Sequence, residues 1–238
     1  MHGIVATIDG APLAGIPFSN GRDVVRTDAD GRFELPMATP FVTITRPADY
    51  TTDTWWLPAE EGVELRFTLS HRPQTLPFEF VHLTDTHMSL PRDEPDESFG
   101  LYSEGSLPDE VRAFLASLPT RAPEAQAVFI TGDLVDHGLA EEYEAYIEAL
   151  SASPLPIHLI PGNHDHMNGR HGGVISRNSY LTNEGDPELY ERYLGPRWYS
   201  FDIPGCHVVA MDWHTHELGL DHDIQNAWVK ADLAAIEP

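Results

Sequence analysis

Three apolar runs in this chain share one design: each reads as a β-strand, and each ends in a turn crowded with side chains that ligate metals or move protons. They are "FVHLTDTH", which ends with Asp85 and His87; "VFITGDLVDHG", which carries Gly132, Asp133 and Asp136; and "HLIPGNHD", which closes with Gly162, Asn163, His164 and Asp165. In open α/β sheets ligands collect beyond the carboxyl ends of the strands, so three such ends can meet at one point. Carboxylate, imidazole and amide oxygen are together a donor set for hard to borderline divalent cations. One Asp or Asn at such a turn is ordinarily a cap or a turn former. Three in series, each behind an apolar strand, are not explained by capping.

The rest of the chain divides around residue 78. Beyond it, strand-like "FEFVHL", "AVFIT", "IHLI" and "CHVVAM" alternate with helical patterns, which predicts an α/β layered domain. The helices are expected over 107–118, with Val111, Phe114, Leu115 and Leu118 inward; over 139–151, with Leu139, Tyr143, Tyr146, Ile147 and Leu150 inward; and over 225–236, with Trp228, Ala231 and Ala235 inward. Before residue 78 the runs are short and punctuated by Gly, Pro, Asn and Asp. "HGIVATI", "DVVRT", "GRFEL", "FVTIT" and "VELRFTL", the last with Val63, Leu65, Phe67 and Leu69 on one side, predict a small all-β sandwich. "DADG" (Asp28 to Gly31) lacks the further oxygen ligands of a calcium loop and reads as a hairpin turn. The expected domains are 1–72 and 79–238, joined by a Pro-containing linker over 73–78.

Charge excludes some partners. There are 38 Asp plus Glu against 14 Lys plus Arg, a formal charge of −24, and Lys230 is the only lysine. Such a surface opposes polyanions and anionic bilayers, so neither nucleic-acid nor membrane binding is expected. It suits the gathering of divalent cations, although solubility alone explains an acidic surface. No run of about 18 apolar residues is present and the first 20 residues lack a secretion signal, which predicts a soluble chain, cytoplasmic by default and exported if a leader has been removed. Cys206, the single cysteine, sits in "CHVVAM" and is expected to be a buried, inert thiol.

The three motifs in order, Asp85-Thr-His87, Gly132-Asp133-Leu-Val-Asp136 and Gly162-Asn163-His164-Asp165, resemble the D-x-H, G-D-x-x-D, G-N-H-[DE] pattern of calcineurin-like metallophosphoesterases. "YERYLGPRWYSFDIPGCHVVAMDW" (190–213) resembles the family's next strand pair, and residues 1–70 resemble a carboxypeptidase-regulatory-like sandwich found before some bacterial members. The resemblance implies a phosphoester hydrolase with two divalent metals drawn from Mn, Fe, Zn and Mg, acting on a small-molecule phosphoester through a metal-bridging hydroxide. It implies that Asp85 and His87 hold the first metal, Asp133 bridges both, Asn163 holds the second, and His164 serves the leaving group. Asp136 and Asp165 then either orient these ligands or simply form the turns. A diester preference is suggested by the likeness of "VHLTDTH" and "GDLVDHGLAEEYEAY" to cyclic-nucleotide phosphodiesterases.

One part of the family pattern is missing: the later-strand His and the final G-H-x-H, which supply three imidazole ligands, do not occur before Pro238. The second domain is therefore expected to be truncated, with the second metal weakly held and little activity. "WHTH" (213–216) follows the wrong strand to replace them, and His214 and His216 read as loop residues. Arg170 and His171, in the Gly-rich stretch after the third motif, are candidate phosphate contacts, since the arginine fork matches phosphate oxygens. His82 and His158 lie inside strands and read as core or face residues. A competing reading is a non-catalytic binding module with an incomplete metal site. No feature of the sequence sets an oligomeric state.

Overall fold

The computed structural model describes residues 1–90, 106–166, 187–213 and 221–236. Their contacts divide the chain into two compact units, one of Met1–Phe78, Trp198–Met211 and Asp221–Pro238, the other of Glu79–Arg197 and Asp212–Leu220. Among the described residues no helix is long and apolar enough to cross a membrane.

The first unit contains a sandwich of two four-stranded sheets. One has the order β4-β1-β8-β6, from β1 (His2–Thr7), β4 (Arg32–Glu34), β6 (Tyr50–Thr51) and β8 (Glu64–His71). The other has the order β3-β2-β5-β7, from β2 (Pro17–Ser19), β3 (Val24–Arg26), β5 (Phe41–Ile44) and β7 (Trp56–Pro58). Alternation in β8 buries Leu65, Phe67 and Leu69 against Val5, Phe18 and Phe33, with the Phe18 and Phe33 rings stacked at 4.0 Å. Val63, expected on the same side, precedes the strand and is exposed. The "DADG" turn joins β3 to β4 and so carries the chain from one sheet to the other, which a simple hairpin would not do. Gly31 is required there: its φ is +73°, and a Cβ would lie 2.4 Å from the Val5 carbonyl oxygen.

Contact also groups an antiparallel pair, β12 (Tyr199–Ile203) and β13 (Cys206–Ala210), and the last helix, His222–Ala234, with this sandwich. Cys206 begins β13 beside the Gly205 turn and is exposed, which corrects the expectation of a buried thiol. The helix starts three residues earlier than expected and buries Gln225, Trp228 and Asp232, a stripe at helical spacing. A polar clasp joins it to the strand pair: His207 Nδ1 is 2.7 Å from Asp202 Oδ1, its Nε2 is 2.8 Å from Asp232 Oδ2, and Ser200 donates to Asp232 Oδ1 at 2.7 Å.

The second unit is built on three parallel strands in the order β11-β10-β9: β9 (Glu79–Thr84), β10 (Ala125–Thr131) and β11 (Ile157–Ile160). Thr131 of central β10 pairs with Thr84 on one side and Ile160 on the other, so all three strands end on one rung. Val81, Leu83, Val128, Ile130 and Leu159 bury one face against α1 (Pro108–Ala116) and α3 (Ala140–Leu150). The helix expected over 107–118 breaks at Ser117, whose hydroxyl bonds back to the Phe114 carbonyl at 2.6 Å; a short α2 (Leu118–Arg121) follows. In α3, Tyr143 and Tyr146 are fully buried, but Ile147 is 40% exposed and Glu142 is inward. Among the described residues the remaining α-helices are α4 (Glu188–Leu194) and, in the first unit, α5 (His222–Ala234). On the opposite face of the sheet His82 is exposed and pairs with Thr131 Oγ1 at 2.8 Å, and the His158 ring meets Phe129 edge-on.

The His207 clasp carries a pH dependence of its own. Hydrogen bonds to Asp202 and Asp232, opposed by burial, raise the imidazole to about 9 from 6.5. The stabilisation is complete below pH 6.5 and is lost as pH rises through 9. Because Asp202 is 37% exposed, screening reduces the effect to about 1–2 kcal/mol. Urea unfolding at pH 6 and pH 10 is expected to show that loss in the wild type and a clearly smaller one in His207→Gln.

Candidate metal centre

The first residues past the common rung belong to the three motifs. Asp85, His87 and Asp133 have φ of 51°, 41° and 44°, a region that residues with a Cβ avoid. Such backbone costs about 1–3 kcal/mol per residue and persists only where its surroundings enforce it. Here a ladder between the two loops does so. Asp85 N–H donates to the Gly132 carbonyl at 3.1 Å, His87 N–H to Asp133 at 2.8 Å and Met88 N–H to Leu134 at 3.0 Å.

The third loop is held by a buried carboxylate. Asp165 accepts N–H groups from Gly162 at 2.8 Å, Leu134 at 3.0 Å and Val135 at 3.2 Å, and Tyr143 donates its hydroxyl to the Asp165 carbonyl at 2.8 Å. Burial lifts this carboxyl to about 7 against the pull of the three amides. His166 in the same turn reaches Asp212 at 3.0 Å, and Arg197 holds that carboxylate at 2.8 Å while bonding Glu191 at 2.8 Å. Gly162 packs directly on the second motif, since a Cβ there would stand 2.2 Å from Asp133 N and Oδ1.

These constraints bring the carboxylates and imidazoles together. Ligand atoms of Asp85, His87 and Asp133 lie within 4.8 Å of one another, with His87 Nε2 3.5 Å from Asp133 Oδ2 and 3.9 Å from Asp85 Oδ1. His87, Asp136 and His164 form a second such group. Its atoms already satisfy each other, because Asp136 Oδ1 lies 3.1 Å from His87 Nδ1 and 3.5 Å from His164 Nδ1. The first group is therefore the one whose donor atoms suit a cation. The paired imidazoles, opposed by burial, hold the Asp136 carboxyl well below the usual range. His164 is buried, its N–H donates to Asp133 Oδ1 at 2.9 Å and its Nδ1 lies 2.6 Å from the Asp136 carbonyl. Burial lowers its pKa, but the Asp136 hydrogen bond and the Asp133 charge outweigh that and raise it. Asn163 is half-buried in the turn beside His164.

Of the residues expected at the site, Asp85, His87, Asp133, Asp136, Asn163, His164 and Asp165 all lie in these three adjoining loops. Asp136 contacts the imidazoles, whereas the side-chain bonds of Asp165 go to backbone amides. Arg170, His171, His214 and His216 lie outside the described residues. His222 lies in the first turn of α5, where it contacts Asn226. Sequence reasoning missed His137 and Glu142, which lie behind Asp136. A signal was present: Glu142 sits three residues after Leu139 and four before Tyr146, on the buried stripe.

Residues 78–222 match the calcineurin-like phosphoesterase family. The chain belongs to that family. Residues 1–65 match the N-terminal domain of calcineurin-like phosphoesterases, which does not bear out the narrower carboxypeptidase-regulatory-like label. Among curated relatives, the chain is similar to glycerophosphodiester phosphodiesterase GpdQ of Enterobacter lignolyticus, 34% identical over 85 residues, or 36% of this chain and 28% of the relative. It is also similar to a probable glycerophosphodiester phosphodiesterase GpdQ of Arcobacter nitrofigilis, 42% identical over 43 residues, or 18% and 16%. A third is UDP-2,3-diacylglucosamine hydrolase of Ectopseudomonas mendocina, 36% identical over 95 residues, or 37% and 38%. The matched stretches thus cover well under half of each relative's length. No solved structure matches the chain. Members of this family use a dimetal centre, and the Asp85, His87 and Asp133 group has the donor chemistry for part of one.

The contact between Gly162 and Asp133 is directly testable. Gly162→Ala drives a methyl group into the Asp133 backbone and carboxylate, so Mn²⁺ affinity is expected to fall about tenfold or more, with an overpacking cost of about 1–3 kcal/mol. Gly162 has no left-handed φ, so its effect is steric; Gly205→Ala, at φ +75° with nothing within 4 Å of its Cβ, is the comparison in which a methyl group brings backbone strain and no clash. Calorimetric Mn²⁺ titration of both variants checks this.

Proposed function

We propose that the protein is a metal-dependent phosphodiester hydrolase in which Asp85 and His87 hold one cation, Asp133 is shared, Asn163 holds a second, and His164 serves the leaving oxygen. The observation that carries the reading is the convergence of Asp85, His87 and Asp133 at the ends of two adjacent parallel strands, with all three in a costly backbone conformation. Two divalent cations drawn from Mn, Fe, Zn and Mg, when bound, polarise the phosphoryl oxygens and lower the pKa of coordinated water.

The chain's own groups do the rest. Asp136 accepts from His87 Nδ1 and so turns Nε2 toward Asp85 and Asp133. With His164 Nδ1 directed to the Asp136 carbonyl, Nε2 is the nitrogen that serves the departing oxygen, and the raised pKa keeps a proton available there above the ordinary 6.5. Asp165 fixes the turn that presents Asn163 and His164. A diester substrate is favoured by relatives named as phosphodiesterases. The charge of −24 favours a small substrate over a nucleic-acid polymer.

Metal dependence, and not the absolute rate, is the readout. After chelation, Mn²⁺ is expected to restore hydrolysis of bis-p-nitrophenyl phosphate in the wild type, to restore less in Asp136→Asn, and to restore none in Asp133→Asn. His164→Ala is expected to cost about 10²–10⁴-fold with an alkyl leaving group and much less with p-nitrophenolate, which needs no proton. With the alkyl substrate, wild-type turnover is expected to decline as rising pH deprotonates His164. Equal turnover with and without Mn²⁺, or equal losses for both leaving groups, would contradict the assignment.

A further inference from the structure

We propose that Glu142 and His137 are positioning residues for the metal centre: the carboxylate at the start of α3 fixes the His137 ring against Asp136 and, through Asp136, the orientation of His87. The inference rests on the reading of His87 as a metal ligand.

Helices α1 and α3 begin alike, with a Leu cap and a Glu three residues on that accepts the cap's N–H, from Leu107 to Glu110 at 2.9 Å and from Leu139 to Glu142 at 3.2 Å. Glu110 does this exposed to solvent, so capping does not require burial. Glu142 is 1% exposed and takes two further contacts, the His137 N–H at 3.0 Å and His137 Nδ1 at 2.7 Å. Burying a carboxylate this completely is costly unless its bonds are used. The other face of the same imidazole, Nε2, stands 3.3 Å from Asp136 Oδ2. That oxygen accepts no hydrogen bond among the described residues, so His137 acts on it by charge and by the packing of its ring and not by a hydrogen bond. Asp136 Oδ1 meets His87 Nδ1 at 3.1 Å, and His87 Nε2 faces Asp133 and Asp85. Glu142, His137 and Asp136 are buried and His87 is half-buried, so a rotation at Glu142 has little room to relax before it reaches His87.

Capping and positioning separate under conservative substitution. Gln at this helix position also closes a capping box, so Glu142→Gln retains the start of α3 but offers His137 Nδ1 one acceptor oxygen in place of two and no charge. It is expected to weaken Mn²⁺ binding about three- to tenfold by calorimetry, with unchanged helix content by circular dichroism. His137→Gln is expected to produce a similar loss. The double variant is expected to be no worse than the weaker single one, because both changes interrupt one path. A simple electrostatic effect of the lost charge would instead add to the His137 effect. If Glu142→Gln fails to fold, His137→Gln alone carries the test. Wild-type affinity in both single variants, or additive losses, overturns the proposal while leaving the site reading intact, provided His87→Ala loses binding. Undiminished binding in His87→Ala overturns both.

Discussion

The buried carboxylate of Asp165 is the interaction on which the arrangement of the site depends. Parallel pairing sets where β9, β10 and β11 end, but it does not determine where the loops beyond them go. By accepting amides from Gly162, Leu134 and Val135, Asp165 binds the loop after β11 to the loop after β10. Tyr143 adds an anchor from α3. A carboxylate is suited to this because its two oxygens offer several acceptor sites in a space too dry for water to serve the amides. The result is that His164 meets Asp133 and Asp136 across 31 and 28 residues of sequence.

That rigidity is what allows strain to sit at the useful positions. Asp85, His87 and Asp133 occupy left-handed backbone that an isolated loop would abandon. The hydrogen-bond ladder between the loops after β9 and β10 offsets the cost, and Gly162 gives Asp133 room by having no side chain. The same loops pair their crowded carboxylates mainly with imidazoles. His87 and His164 share Asp136, while Arg197 and His166 share Asp212.

What was legible in the sequence follows from this division of labour. The strands and the three motifs were readable because an apolar run followed by a turn of ligating residues is a local pattern. The sandwich was readable from the alternation in "VELRFTL", although Val63 fell outside the strand and is exposed. Ile147 was misjudged because a helical stripe has two edges, and α3 turns the edge that carries Glu142 inward. Cys206 was misjudged because its apolar neighbours belong to β13, whose first residue, Cys206 itself, stands exposed at the Gly205 turn. The roles of Asp165 and Asp212 could not be read locally, since Leu134 and Val135 lie 31 and 30 residues from Asp165, and Arg197 and His166 lie 15 and 46 residues from Asp212. A buried charge is recognisable only once its partner is known.

The most direct measurement is anomalous diffraction from crystals soaked in Mn²⁺. The account predicts a peak within coordination distance of Asp85, His87 and Asp133 together, with Asp136 contacting His87 from behind and not the ion. A peak between His87, Asp136 and His164, or full Mn²⁺ occupancy at a position remote from Asp133, would contradict it.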